Sequence, residues 1–270
     1  MRINTNLNGM IATNQMAKNT ALAGNSMEKL STGLRITKAG DDAAGLAVSE
    51  KMRAQIRGME QAERNVQDGI SLVQTTEGAL EEAGNIAQRM RELSVQGANG
   101  TYSESDREKI IAELTELQDE IAKIAEETKF NGNTLLDAEN AFTIQAGAND
   151  ELRTVSTVDL ATVADNLDAS GLTASKPEEF KGFITKIDDN LEVINKGRAT
   201  LGAMQNRLEY TSTNLTTSNE NLSAAESRIR DVDVAKEMVK LSKLNILTQA
   251  SQSMVAQAKQ QPESVTQLLR

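Results

Sequence analysis

Residues 177–229 read PEEFKGFITKIDDNLEVINKGRATLGAMQNRLEYTSTNLTTSNENLSAAESRI, and this stretch decides the fold class. Its apolar residues recur at spacings of three, four or seven positions, which is a heptad pattern. They are Phe180, Ile184, Ile187, Leu191, Ile194, Leu201, Leu208, Leu215, Leu222 and Ile229. Ser175 and Glu178 have the spacing of a capping box, and Pro177 lies in the first turn, where its missing N–H costs nothing. We therefore predict one helix from about 177 to 229, roughly 80 Å long at 1.5 Å per residue.

The seam of this helix also contains polar residues at alternate positions. They are Arg198, Gln205, Ser212, Asn219 and Glu226. A polar residue at every second seam position predicts a stripe that is loosely buried or that faces a partner.

Two more helices are expected earlier in the chain. One spans about 105–129, with Ser105 and Glu108 at capping-box spacing and Asn131-Gly132 as the stop signal. Its seam residues are Ile110, Leu114, Leu117, Ile121 and Ile124. The helix before it ends in the loop 97–100 and has its own apolar stripe. That stripe consists of Val66, Ile70, Val73, Leu80, Ala83, Ile86, Met90 and Leu93.

The helical period is lost between Asn140 and about Leu172. Residues 142–145 followed by Gly147 and Asn149-Asp150 predict a short β-hairpin. The expected fold class is therefore mainly α: an elongated rod of long antiparallel helices with coiled-coil packing, paired N- and C-terminal helices, and one small β-hairpin region.

The two ends of the chain carry weaker stripes of small and polar residues. The N-terminal stripe consists of Ile3, Leu7, Met10, Asn14, Ala17, Ala21 and Gly24. The C-terminal stripe consists of Leu241, Leu244, Thr248, Ser251, Val255 and Ala258. Such stripes bury too little apolar surface to offset the entropy of ordering the backbone. We expect the two termini to pair with each other and with neighbouring copies, and residues 1–40 and 235–270 to be disordered before assembly.

Composition excludes several classes of function. The 270 residues include no His and no Cys, which removes Ser-His-Asp and Cys-His catalysis, thiolate metal sites and disulfides. We expect no enzymatic activity, no cofactor and no metal. The net charge of −10 argues against nucleic-acid binding, no apolar run is long enough for a membrane span, and the N-terminus lacks the apolar region of a cleaved secretory signal.

Asp41 and Asp42 form the most conspicuous carboxylate pair. Small residues follow them and no His is present, so a loop and helix N-cap is a better interpretation than acid/base catalysis or a metal site. Arg35 and Lys38 are candidates to pair with them in assembly.

Several long motifs occur together along the chain. They are RINTNLNGMIATNQM, KLSTGLRITKAGDDAAGLAVSEKMRAQIRG, QRMRELSVQGANGTYSESDR, FNGNTLL, NLSAAESRIRDVDVAKEM and QASQSMVAQAKQQPESVTQLLR. With these motifs the chain resembles bacterial flagellin over nearly its whole length, without the large variable outer domain that many flagellins carry. The resemblance implies a secreted, extracellular subunit of the bacterial flagellum that forms a homopolymer. It also implies export unfolded through the type III apparatus, with an export chaperone, cap proteins and hook-junction proteins as partners.

The resemblance also implies a division of the chain. Residues 1–40 would form the N-terminal filament-core helix and the start of the spoke, and 235–270 the C-terminal core helix. Residues 41–139 and 176–234 would form the outer helical domain, with the β-hairpin and loop region at 140–175.

Two sets of site residues follow from the resemblance. Gln88, Arg89, Leu93 and Glu113 match a surface sensed by a mammalian Toll-like receptor, and the same residues suit subunit packing. Val265, Leu268 and Leu269 resemble the terminal apolar cluster, which an intracellular inflammasome sensor recognises and which also suits packing inside a filament. The resemblance also implies that an export chaperone binds along the same C-terminal region.

Three alternatives stay open at this point. A hook–filament junction protein shares the terminal motifs. A secreted enzyme or adhesin on the same scaffold is opposed by the absence of His and of a long insert. A cytoplasmic coiled-coil regulator is opposed by the weak terminal stripes.

Overall fold

The computed structural model describes the backbone of residues 6–268 and the side chains of residues 6–260. The helices in this range are α1 (Leu7–Thr32), α2 (Ala43–Gly97), α3 (Glu104–Glu127), α4 (Leu160–Asn166), α5 (Pro177–Arg230) and α6 (Val234–Leu268). The strands are β1 (Lys129–Phe130), β2 (Asn133–Thr134), β3 (Ala141–Gln145) and β4 (Leu152–Ser156). The mainly α prediction is confirmed.

The chain divides into two compact units. The first unit combines Met1–Ala54 with Asn221–Arg270, and the second unit is Gln55–Glu220. This division describes the single folded chain. The boundaries at residues 40 and 235 were predicted for the subunit inside a filament, and they stay a prediction.

Helix α5 confirms the long heptad helix, but its seam differs from the predicted one near the start. Phe183 and Asn190 are buried, whereas Ile184 and Leu191 are only half-buried. A seven-residue period leaves the intermediate seam position ambiguous between i+3 and i+4, and the packing partner decides it. At Gly197 the missing side chain permits close approach: a Cβ added there would meet Leu80 Cδ1 at 3.5 Å and overlap the Val158 side chain.

The alternate polar positions of α5 agree with the prediction of a loose seam. All five of the predicted polar seam residues are half-buried. In the second unit α5 packs antiparallel to α2. The ion pairs Arg91–Asp188 (2.6 Å) and Arg198–Glu81 (3.8 Å) join the two helices.

Two predicted N-caps are wrong. Helix α3 begins at Glu104 and is capped by Ser103 rather than Ser105, because Ser103 and Asp106 also have capping-box spacing. The Ser103 hydroxyl donates to Asp106 Oδ2 at 2.7 Å, and this hydrogen bond is the main cause that lowers the pKa of Asp106.

At the start of α5, Pro177 is the first helical residue, as predicted, but this places Lys176 rather than Ser175 before the helix. The Glu179 carboxylate accepts from Thr173 N–H at 2.8 Å and from Lys176 Nζ at 3.2 Å, so a carboxylate in the first turn organises this end of the helix.

The hairpin of β3 and β4 is confirmed, with Phe142 opposite Val155 in antiparallel register. It lies close to α2, since a Cβ at Gly69 would overlap the Ile144 side chain.

Sequence analysis missed the two-residue pair β1–β2 and the seven-residue helix α4, because both are too short to show a period. Helix α4 lies against α3 and is anchored by four buried residues. They are Leu160, Val163, Ala164 and Leu167, the last just after the helix end.

Candidate assembly and recognition surfaces

The first unit contains a pair of antiparallel terminal helices, α1 and α6. Asn6 Nδ2 donates to the Ala258 carbonyl at 2.6 Å, and Asn19 Nδ2 donates to Ser251 Oγ at 3.5 Å. Helix α6 faces α1 with the predicted stripe, and all of its members are buried or half-buried. The prediction for the C-terminal stripe is therefore confirmed.

The predicted stripe of α1 does not face α6, and its contact with neighbouring copies stays a prediction. Its described members, from Leu7 to Gly24, are all exposed. The residues that are buried or half-buried at heptad spacing are instead Gly9, Ala12, Met16, Asn19, Ala23, Ser26 and Leu30. Small side chains on this face let two helix backbones approach closely, and the larger apolar side chains are left outside.

The outer faces of both helices therefore carry large exposed apolar side chains. On α1, Ile11 is 60% exposed, and on α6, Val239 is 72% exposed and Ile246 63%. The others in this set are Leu7, Met10, Leu22, Met27, Val234, Met238, Leu247 and Met254. A groove of about 610 Å³ runs between the helices and is lined by Ile11, Ala12, Gln15, Leu247 and Met254, among others. So much apolar surface on one unit is typical of an interaction site.

Sequence reasoning missed this outer surface because it assigned the large apolar residues to the intramolecular seam. A signal was available: α1 carries two stripes at heptad spacing, one of small and polar residues and one with larger apolar residues such as Leu7 and Met10. A helix with two usable faces has more than one partner.

The chain connections on either side of this helix pair lie side by side. Gly33 ends α1 in the left-handed region with φ 72°, which favours glycine. Leu34 and Asp231 then form an antiparallel bridge, with Arg35 N–H donating to the Arg230 carbonyl at 2.6 Å and Val232 N–H to the Gly33 carbonyl at 3.0 Å. The α1–α2 and α5–α6 connections are thus joined by backbone hydrogen bonds.

The Asp41–Asp42 pair has the predicted structural role. Asp42 Oδ1 accepts from Gly45 N–H at 2.9 Å, which caps α2. Asp41 Oδ2 accepts from the Thr37 N–H at 3.1 Å, from the Thr37 hydroxyl at 3.0 Å and from the Lys38 N–H at 3.2 Å, and the bonds from Thr37 are the main reason that its pKa is lowered.

Neither Arg35 nor Lys38 pairs with these carboxylates through its charged group in the single chain. Lys38 Nζ pairs with Glu28 at 2.8 Å, and the Arg35 guanidinium donates to the Ile229 carbonyl. Pairing in an assembly stays a prediction.

Of the four residues expected on the recognition surface, three are exposed and one is not. Arg89 bridges two helices, with Nη2 3.1 Å from Glu113 Oε1 on α3 and Nη1 3.2 Å from Glu92 Oε2 on its own helix. The hydrogen bond that Arg89 donates to Glu113 is the main cause that raises the pKa of Arg89. Gln88 is exposed beside it. We call Gln88, Arg89, Glu92 and Glu113 the Arg89 patch.

Leu93 is only 3% exposed and therefore packs beneath the surface. In this conformation it stabilises the second unit and offers no contact area to a partner. Its assignment to a recognition surface came from position alone, which does not show on which side of α2 a side chain lies.

The predicted terminal cluster of Val265, Leu268 and Leu269 lies outside the residues whose side chains the structure describes. Within the described residues, no group of three or more Asp, Glu, His or Cys side chains could hold a metal ion. Among the described helices, none is long and apolar enough to cross a membrane.

Comparison with known proteins identifies related chains over the full length. The family model for the bacterial flagellin N-terminal helical region matches residues 3–141, and the model for the bacterial flagellin C-terminal helical region matches residues 184–269. A flagellin of Halalkalibacterium halodurans is 52% identical over 275 residues, and one of Bacillus subtilis is 45% identical over 310 residues. Both alignments cover 100% of each chain.

A crystal structure of Bacillus cereus flagellin is 35% identical with a TM-score of 0.51, and the match covers 60% of this chain and 94% of that one. The structure of a putative flagellar hook-associated protein from Vibrio parahaemolyticus has a TM-score of 0.61. It covers 71% of this chain and 100% of that one at 13% identity, so the likeness is one of fold alone.

Proposed function

We propose, since this chain belongs to the bacterial flagellin family, that its two compact units divide the work of building a filament. The chain is a structural subunit that polymerises into the helical flagellar filament used for motility. The hook–filament junction alternative is not favoured, because flagellins match the whole chain at high identity. In the proposal, residues 1–40 and 235–270 form the filament core and residues 41–139 and 176–234 the surrounding layer, with the hairpin region at 140–175.

The observation that carries the proposal is the apolar outer face of α1 and α6. Each large apolar side chain that becomes fully buried contributes about 1.5–3 kcal/mol, so a few contacts per subunit are enough to drive association. A face of one copy that meets a different face of the next does not close on itself, and such contacts generate an open helical polymer.

The weak seam between α1 and α6 suits export of an unfolded chain and its secretion through the flagellum. The seam between α1 and α6 contains mainly small and polar side chains, which makes the pair weak without neighbours. The chain has no Cys, so no disulfide restrains it during passage. A chaperone bound before export, and cap and junction proteins at the filament ends, complete this proposal. It includes no catalytic step.

We assign the Arg89 patch first to contact between subunits. Arg is frequent at interface centres, and the ion pairs of Arg89 with Glu92 and Glu113 hold its guanidinium in position. A host Toll-like receptor would then recognise an assembly surface in the free subunit. The terminal cluster of Val265, Leu268 and Leu269 is assigned to filament packing and to recognition by an inflammasome sensor. Replacing Leu268 and Leu269 with Ala should impair polymerisation, and normal motility of such a strain would contradict this assignment.

The test of the main proposal is polymerisation of an outer-face variant. Ile11→Ser combined with Ile246→Ser replaces apolar groups that are exposed in the single chain, so the second unit should keep its stability while filaments fail to form. Val193→Ser is the matched control, because Val193 is 44% exposed on α5 of the second unit. Salted-out protein imaged by electron microscopy gives the result. Filaments formed equally by both variants would contradict the proposal.

A further inference from the structure

Asn-Gly pairs occur at three places in the chain: Asn8–Gly9, Asn99–Gly100 and Asn131–Gly132. In such a pair the glycine nitrogen can attack the Asn side-chain carbonyl carbon, because glycine has no side chain to hinder the approach. The reaction also requires a backbone free to bring the two atoms together. The three pairs lie in different environments, so the structure ranks their reactivity.

Asn99 has the most favourable arrangement. It lies in the loop between the end of α2 at Gly97 and the start of α3 at Glu104, and both Asn99 and Gly100 are exposed. Thr101 N–H donates to Asn99 Oδ1 at 3.2 Å, which is an Asx turn. This hydrogen bond folds the side chain over the peptide that carries the Gly100 nitrogen and polarises the carbonyl to be attacked. Within the described part of the chain, the Gly100 N–H has no hydrogen-bond partner.

The other two pairs are held in less reactive states. Gly9 lies in helix α1, and its N–H donates to Asn6 Oδ1 at 3.0 Å, so the attacking nitrogen is already engaged. Asn131 (φ 49°) and Gly132 (φ 84°) form the two-residue turn between β1 and β2, where pairing of the flanking Phe130 and Asn133 restricts the backbone.

We propose that Asn99 is a site of spontaneous deamidation. The Gly100 nitrogen loses its proton to hydroxide and forms a bond to Asn99 Cγ. The Cγ–Nδ2 bond breaks, Nδ2 takes up a proton and leaves as ammonia, and a five-membered succinimide remains. Water then opens the ring at either carbonyl, which produces aspartate or isoaspartate at position 99. No atom changes oxidation state and water is the only other reactant.

The modification would alter the loop that joins α2 to α3. Tyr102 N–H donates to the Asn99 carbonyl at 3.5 Å, and Arg107, only 7% exposed, donates through Nη2 to the Tyr102 carbonyl at 2.8 Å. Isoaspartate inserts an extra methylene into the main chain at this point and removes the Asx turn. Subunits of the proposed filament would thus acquire an added negative charge and a loosened loop with age.

The experiment is peptide mapping by mass spectrometry of the purified full-length protein after timed incubation at neutral and mildly alkaline pH. We expect the mass increase of amide-to-acid conversion to occur at Asn99 before Asn131, both of which lie in the second unit. Asn8 should convert in the free monomer if residues 1–40 are disordered there, and should be protected in filaments, where α1 is folded. The rate at Asn99 should rise with pH, because the attacking nitrogen must be deprotonated.

Gly100→Ala is the matched variant. No atom lies within 4 Å of a Cβ added at Gly100, and its φ is outside the left-handed region, so Ala fits without strain. The hindered nitrogen should slow conversion of Asn99 roughly tenfold, which corresponds to about 1.4 kcal/mol of barrier. Digestion after incubation in denaturant should instead show similar rates at all three pairs. An unmodified Asn99 in the folded protein, equal rates at Asn99 and Asn131 there, or a Gly100→Ala variant that converts Asn99 as fast as the parent would overturn the proposal.

Discussion

The first and second units differ in what holds them together. The second unit has a continuous core of large side chains, including the fully buried Leu80, Leu114 and Phe180. In the first unit, the α1–α6 seam buries Asn19, Ser26, Leu244 and Ala258, while larger apolar side chains face outward. The second unit therefore covers most of its large apolar side chains itself, whereas the first unit leaves many of its own exposed in the single chain. The direction in which the large apolar side chains point, inward or outward, distinguishes the two units.

The largest effect is expected from opening the core of the second unit. Leu114→Ala removes a side chain that has no exposed surface, so the free energy of unfolding should fall by about 2–5 kcal/mol. Urea denaturation of the soluble protein measures this change. Leu244→Ala in the α1–α6 seam is the comparison variant and should leave the main unfolding transition nearly unchanged. Equal losses in both variants would mean that the two units share one cooperative core.

The next prediction concerns helix content before and after assembly. The structure describes α1 and α6 as helices, and their state in the free monomer stays a prediction of the sequence. If their weak seam cannot offset the entropy of ordering, residues 1–40 and 235–270 are disordered in the monomer and helix content rises on polymerisation. Circular dichroism of monomer and sheared filaments measures the difference. Identical spectra per residue would show that the terminal pair is stable alone.

A third prediction distinguishes the exposed Arg89, which is available for contacts, from the buried Leu93, which stabilises the second unit. Arg89→Ala should weaken both receptor activation and filament formation, while thermal stability stays close to that of the parent because the ion pairs of Arg89 are exposed. Leu93→Ala should lower thermal stability, since removing this buried side chain leaves a cavity in the second unit. Reporter-cell signalling, polymerisation and thermal melting distinguish the two. Unchanged signalling by soluble Arg89→Ala protein would contradict the receptor assignment.

The smallest effect is expected from the Asp41 carboxylate of the first unit. Its pKa is lowered in the folded chain, mainly by hydrogen bonds from Thr37. A lowered folded-state pKa means that the carboxylate stabilises the fold above its ordinary pKa, and that this contribution is lost as the pH falls through the lowered value. Asp41→Asn should therefore reduce the acid sensitivity of filaments slightly, measured as light scattering against pH. Asp106→Asn at the start of α3 is the control, because it changes a carboxylate at a helix start in the second unit. If this variant changes the pH at which filaments dissociate more than Asp41→Asn does, the acid-sensitive carboxylate lies in the second unit.

How far the sequence predicts the structure depends on how local the signal is. The C-terminal stripe, the 177–230 helix and the β3–β4 hairpin follow from periods and turn residues within one segment. Spacing alone does not determine the cap of α3, because Ser103 and Ser105 both satisfy the spacing of a capping box and only the hydrogen bonds select Ser103.

The sequence alone determined the class of the molecule: long helices in a chain with only two prolines, weak ends, no thiol or imidazole chemistry, and the motifs of a filament subunit. Only the tertiary structure decided which face of α1 meets α6 and that Leu93 is buried. The physical reason is that helical periodicity fixes which residues share a face but not what that face contacts. The contact depends on how closely two backbones approach, and small residues such as Gly9 and Ala12 allow the closer approach.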